Sequence, residues 1–181
     1  MSLRKLLLPV CALAFFHTSC DLETLIPALN VQGDSGYTYS ESRSLWLQMK
    51  EDNGDSYEYT VGVLSWTGDG NNTIITIDEG KAVARKYQEF FMDPDTGVKT
   101  DGFGYSETGA DVGINEAGAK AMTMDELYGI CLADYLVVDP ENNTVRFETD
   151  GVGILTLCGF IPNGCADDCF VGINLSDFKW L

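Results

Sequence analysis

Cys158, Cys165 and Cys169 fall within twelve residues, in the stretch Cys158-Gly-Phe-Ile-Pro-Asn-Gly-Cys165-Ala-Asp-Asp-Cys169, and Cys131 lies just upstream. Covalent closure of so short a region dictates a tight, cross-linked C-terminal hairpin. It also requires a compartment in which thiols oxidise. Four cysteines allow three pairings, and spacing alone does not choose among them. The favoured set is Cys131 with Cys158 and Cys165 with Cys169. A zinc site is the rival reading, but paired C-x-x-C knuckles are missing. A redox-active pair is disfavoured because three residues, not two, separate Cys165 from Cys169.

The N-terminus supports export. Arg4 and Lys5 precede the apolar run Leu6–Phe16, and His17-Thr18-Ser19-Cys20 follows, so residues 1–20 read as a signal peptide. Eleven apolar residues in a helix extend roughly 17 Å, well short of a hydrocarbon core about 30 Å thick. No transmembrane helix is expected. Ala12-Leu13-Ala14 is one cleavage candidate. Ser19-Cys20 resembles the end of a bacterial lipoprotein signal, which makes Cys20 the lipidation candidate, although His17 stands where an aliphatic residue is usual. The expected location is extracytoplasmic, secreted or lipid-anchored at the cell surface.

The chain holds 28 acidic and 11 basic side chains, and loss of the leader removes Arg4 and Lys5. A body this acidic repels phosphate backbones, so no nucleic-acid partner is expected. His17, the only histidine, lies in the leader. A mature domain without imidazole excludes Ser-His-Asp triads, Cys-His pairs and histidine-ligated zinc. Carboxylate-pair chemistry survives that filter, but no acidic pair has a distinctive setting, and no catalytic residue or cofactor site is assigned.

Residues 21–36 read as a tether, because Pro27 interrupts the helical spacing of Leu22, Leu25, Ile26 and Leu29. A short amphipathic turn lying on the domain is the other reading of that stretch. A single domain is assigned to residues 37–181. Ser40 to Glu51 is the first helix, with Ser40 as its cap. Tyr57, Tyr59, Val61 and Val63 then alternate as a strand running to Trp66, Thr67 to Asn72 turns, and Thr73–Asp78 and Lys81–Phe91 complete a meander. Asp93 to Gly118 looks irregular apart from a possible strand at Phe103–Ser106. Thr123-Met124-Asp125-Glu126 is a capping box that opens a second short helix. Tyr135–Asp139, Thr144–Thr149, Val152–Ile161 and Phe170–Leu175 follow as strands. The fold class expected is α+β: two short helices packed on an antiparallel β-sheet, in a helix-then-strands pattern used twice, with a disulfide-stapled C-terminal hairpin.

Several short motifs carry a resemblance. They are Trp46 in the first helix, Tyr57-Glu58-Tyr59 opening a strand, Thr76-Ile77-Asp78-Glu79-Gly80-Lys81-Ala82-Val83 at a turn, and Thr123-Met124-Asp125-Glu126-Leu127-Tyr128 opening the second helix. Together they resemble an exported, mainly bacterial family known only as a domain of unknown function, with the cysteine-rich ending as a subgroup feature. The resemblance implies an α+β fold, export and often a lipid anchor, and it carries no catalytic residues.

Asp93 and Asp95 are the candidate metal ligands, since alternate aspartates can face one hard cation. Gly97 and Gly104 do not fit an EF-hand register, and an ordinary acidic turn is favoured. Asp167 and Asp168 are read as backbone caps. Asn71 and Asn142 begin N-x-[ST] sequons in expected loops and are the glycosylation candidates; Asn174 begins a third, in an expected strand. Tyr57, Tyr59 and Trp66 are either core residues or a ligand-binding aromatic face. The function these readings favour is a non-catalytic interaction module that meets a protein or surface partner through its sheet face or its 93–118 loop. An acidic calcium-binding surface or matrix protein and a carboxylate-based hydrolase are the alternatives.

Overall fold

The computed structural model describes residues 22–167 and 169–181. The leader, His17 and Cys20 lie outside the described residues. Three helices, α1 (Leu22–Leu29), α2 (Tyr39–Asn53) and α3 (Met124–Ile130), accompany seven strands. The strands are β1 (Tyr57–Leu64), β2 (Gly70–Asp78), β3 (Lys81–Met92), β4 (Lys99–Thr108), β5 (Asn143–Thr149), β6 (Leu155–Pro162) and β7 (Val171–Trp180). They form one sheet in the order β4-β3-β2-β1-β7-β6-β5. Every pairing is antiparallel.

Two meanders make up this sheet, β1 to β4 after α2 and β5 to β7 after α3. They are joined only by β7, which divides its pairing. Its N-terminal half pairs with β6, from Phe160↔Val171 to Leu157↔Asn174. Its C-terminal half pairs with β1, from Val61↔Leu175 to Tyr57↔Trp180.

Local chemistry explains the helix starts. Thr123 Oγ1 accepts from the Glu126 N–H at 3.2 Å while the Glu126 carboxylate accepts from the Thr123 N–H at 2.7 Å. The first helix uses the same device two residues earlier than expected: Thr38, not Ser40, is the cap, paired reciprocally with Glu41. A T-x-x-E box satisfies two otherwise unpaired N–H groups, whereas a lone serine satisfies one. Between β2 and β3, Glu79 (φ 48°) and Gly80 (φ 74°) are both left-handed. This is the geometry of a two-residue hairpin turn, matching the right-handed twist of its strands.

Three expectations are corrected. Tyr135–Asp139 is not a strand, because α3 runs on through a π-type turn at Cys131–Tyr135. Cys131 and Leu136 point into the core there, and the segment lies off every sheet edge. The first hairpin turn is shorter than expected: the Ser65 N–H donates to the Asp69 carbonyl at 2.8 Å and β2 begins at Gly70. The supposedly irregular 93–118 segment contains the ten-residue strand β4. In the stretch read as a tether, α1 places Ala28 in the core, and Gly33 and Asp34 lie against Phe147 and Glu148 of β5.

The core lies between the helices and one face of the sheet. Trp46 of α2 is fully buried and stacks on Trp180 at 5.4 Å, with Tyr57, Phe178 and Tyr128 around it. Buried tyrosine hydroxyls are all engaged. Tyr57 Oη accepts from the Met124 N–H at 2.8 Å, Tyr59 donates to the Met122 carbonyl, and Tyr128 meets Ser42 and the Leu155 N–H. Burial pushes the Tyr57 and Tyr128 phenols up to about 12, so both stay neutral donors across the physiological range.

Both expected disulfides are present, Cys131–Cys158 and Cys165–Cys169. The first joins the end of α3 to β6 inside the core, where both residues are fully buried. The second closes the turn between β6 and β7. Such bonds mark a protein that matures where thiols oxidise. Because the first spans 27 residues and the second 4, loop-closure entropy separates them. Replacing Cys131 and Cys158 by alanine is expected to cost about 3.5 kcal/mol, against about 2 for Cys165 and Cys169. Urea denaturation of the two double variants checks this, and equal losses would contradict it.

Candidate functional site

The divided pairing of β7 leaves a wedge. Beyond Val61↔Leu175 the strands β1 and β7 separate, although β1 continues to pair with β2 as far as Leu64↔Gly70. In a strand, alternate residues turn both backbone polar groups to the same side. A Cβ placed on Gly70 of β2 would first meet the Val63 carbonyl oxygen, so Val63 bonds toward β2. Gly62 and Leu64 therefore direct their N–H and C=O groups toward β7. Likewise the Val171 carbonyl is the nearest atom to a Cβ on Gly159 of β6, so Gly172 and Asn174 face β1. Among the described residues no strand lies between these two edges.

A groove of about 600 Å³ fills the wedge, within the usual span for ligand sites. Val61 to Leu64 of β1, together with Ser65 of the turn that follows, form one wall. Leu157 and Ile161 of β6, Phe170, and Arg146 of β5 form the other. The tip of the Phe170 ring lies against Gly159 and Gly172, where an added Cβ would meet it at 2.6 and 2.9 Å. Those two glycines give the ring its seat. At the open end stand the two loops that continue the walls: the β1–β2 turn, carrying Trp66, and the turn closed by Cys165–Cys169. Trp66 is 80% exposed, Leu64 66% and Val63 57%. A concentration of large apolar side chains in water at the mouth of a groove is a mark of binding surfaces. Among the described residues Arg146 is the only charged side chain in the lining. Among the described residues it forms no ion pair.

A second concavity, of about 630 Å³, lies under the loop that follows β4. Here Arg85 and Glu107 are both buried and paired at 3.2 Å. Arg85 also donates to the Asn115 and Ala117 carbonyls, while Glu107 accepts from the Gly113 N–H at 2.7 Å and the Asn115 N–H at 2.6 Å. Burial works against the charged carboxylate, yet these N–H donors and the guanidinium outweigh it and hold Glu107 at about 2. Tyr105 donates to the Ala117 carbonyl, and Thr73 accepts from the Ala119 N–H. The charged groups here spend their hydrogen bonds on clasping residues 109–119 to the sheet.

The structure scatters the other candidates. Asp93 Oδ1 accepts from the Asp95 and Thr96 N–H groups at 2.9 and 2.8 Å, which makes it a turn cap and leaves Asp95 in solvent. Among the described residues no three metal-ligating side chains converge. Tyr57 and Tyr59 are fully buried core residues while Trp66 is exposed, so the three do not share a face. Asn71 belongs to β2, an interior strand, instead of a loop. Asn142 lies in an exposed turn, donating to Asp139 at 2.6 Å. The Asp167 carbonyl oxygen lies 2.6 Å from the disulfide sulfur of Cys169, which has no proton to donate, and Asp168 lies outside the described residues. Neither Arg85 and Glu107 nor the wedge was recognisable beforehand. The first pair is 22 residues apart in sequence, and the second depends on where a strand changes partners.

No family model matches the chain, and no curated protein or solved structure is significantly similar to it.

Proposed function

We propose that this chain is an exported, non-catalytic binding module and that the wedge between β1 and β7 is where it takes its ligand. The observation that carries this reading is the parting of two neighbouring strands to leave an apolar groove with solvent-facing hydrophobic side chains at its mouth. Among the described residues that line it, the groove brings Arg146 and apolar side chains together without an acid–base pair, which supports binding over turnover. The leader and the two disulfides support export. The module works equally whether it is released or held by an acylated Cys20, and intact mass before and after reduction distinguishes these fates.

Placing a photo-crosslinking amino acid at Leu64, in the groove, and at Glu51, on the exposed side of α2, tests the reading in the native extracellular milieu. Irradiation is expected to give a discrete adduct at Leu64 and none at Glu51. Equal labelling at both positions, or none at either, would overturn the assignment.

A further inference from the structure

Building on the binding-module reading, we infer that the wedge receives an extended peptide segment of a partner protein, held through its main chain and presenting a carboxylate to Arg146. Three features of the groove specify this occupant. First, beyond the Val61↔Leu175 pair, which the Gly62 N–H and the Asn174 carbonyl close, its opposing edges carry the Gly62 carbonyl and the polar groups of Leu64 on β1, and the Asn174 N–H and the polar groups of Gly172 on β7, without a strand partner among the described residues. An edge of this kind is a template for strand addition, in which main-chain hydrogen bonds bind any sequence able to extend. Second, Leu64 on one side and Leu157, Ile161 and Phe170 on the other offer apolar contacts for alternate side chains of such a strand. Third, Arg146 is a cation without an ion-pair partner among the described residues, in a chain whose formal charge is −17. The surrounding negative field disfavours anionic peptides in general, so a carboxylate is accepted at that one point and nowhere else along the groove.

Selection of a random-peptide phage library on the oxidised mature domain, followed by NMR titration of the recovered peptides, tests this. The expected binders are extended, alternate apolar and small polar residues, and share one acidic position. Their binding should shift and protect from exchange the amides of Leu64, Gly172 and Asn174. N-methylation of alternate peptide amides should abolish binding. Changing the acidic residue to its amide should weaken it about tenfold or more, the weight of a charge-assisted hydrogen bond. Arg146→Gln should erase that difference between the two peptides.

Binding that tolerates N-methylation, or an acid preference that survives Arg146→Gln, would overturn the inference. So would self-association through the groove, seen by sedimentation and abolished by Leu64→Lys, since it would assign the edge to a second copy. Discrete photo-adducts at Leu64 with no peptide binder would leave the groove reading standing and remove the peptide. Absence of both would remove the two together.

Discussion

Trp46→Ala is expected to cost about 3–5 kcal/mol, the range for emptying a fully buried tryptophan site. The upper half of that range is favoured because Trp46 touches every layer of the core at once. It stacks on Trp180 from β7, meets Tyr57 of β1 edge-on at 5.2 Å, and lies 6.5 Å from Tyr128 of α3. Its indole N–H also donates to Asp125 Oδ1 at 3.2 Å. Asp125 is held below the usual carboxylate range even though burial opposes this, because Lys50, Trp46 and Arg43 favour its charged form. The cavity cannot collapse easily when its walls are aromatic rings fixed by hydroxyl hydrogen bonds. Urea denaturation followed by far-UV circular dichroism gives the loss, and near-UV dichroism should lose the signal of the stacked indoles. A loss below about 1.5 kcal/mol would mean that the helix does not anchor the sheet as described.

Arg85→Met is expected to cost about 3 kcal/mol, since it removes the cation paired with the buried Glu107 carboxylate and leaves that charge to the Gly113 and Asn115 N–H donors alone. Replacing both partners, Arg85→Met with Glu107→Met, should restore most of that loss. The double variant should nonetheless show fast amide exchange at Gly113 and Asn115, which lose their acceptor. Acid unfolding supplies an independent readout. Glu107 is held at about 2 against an ordinary value of 4.5, so between these values the unfolded chain binds the proton and the folded one does not. Its stabilising contribution is therefore complete above about pH 4.5 and is shed as pH falls toward 2. Arg85→Met should move the acid-unfolding midpoint upward. An unmoved midpoint and a double variant no better than the single would show that the clasp contributes little.

Parts of this architecture were legible because local chemistry fixes them. The capping box at Thr123 and Glu126, the period-two run of Tyr57 to Val63, and the close approach of Cys165 and Cys169 each act within a few residues, and the two meanders behind two helices followed from them. β4 was legible only at its middle, as the possible strand Phe103–Ser106, and its full length Lys99–Thr108 was hidden for a physical reason. It is an edge strand exposed on both faces along most of its length, with Glu107 its one buried residue, so it has no apolar alternation to display. Tyr135–Asp139 misled in the opposite sense, since a short apolar run serves the end of a helix as well as it serves a strand. The wedge was out of reach altogether. Nothing in Gly62 or Leu64 announces that the neighbouring strand departs there, because that depends on β7 meeting β6 with one half and β1 with the other.

β7 is also the last of the seven strands in chain order, and it alone links the halves of the sheet. During synthesis β1 to β4 can pair as they emerge, as can β5 with β6, but the two halves stay unconnected until β7 arrives. Nascent molecules halted before Val171 would therefore display two raw sheet borders at once, and a quality-control protease or holdase would recognise incompleteness by them.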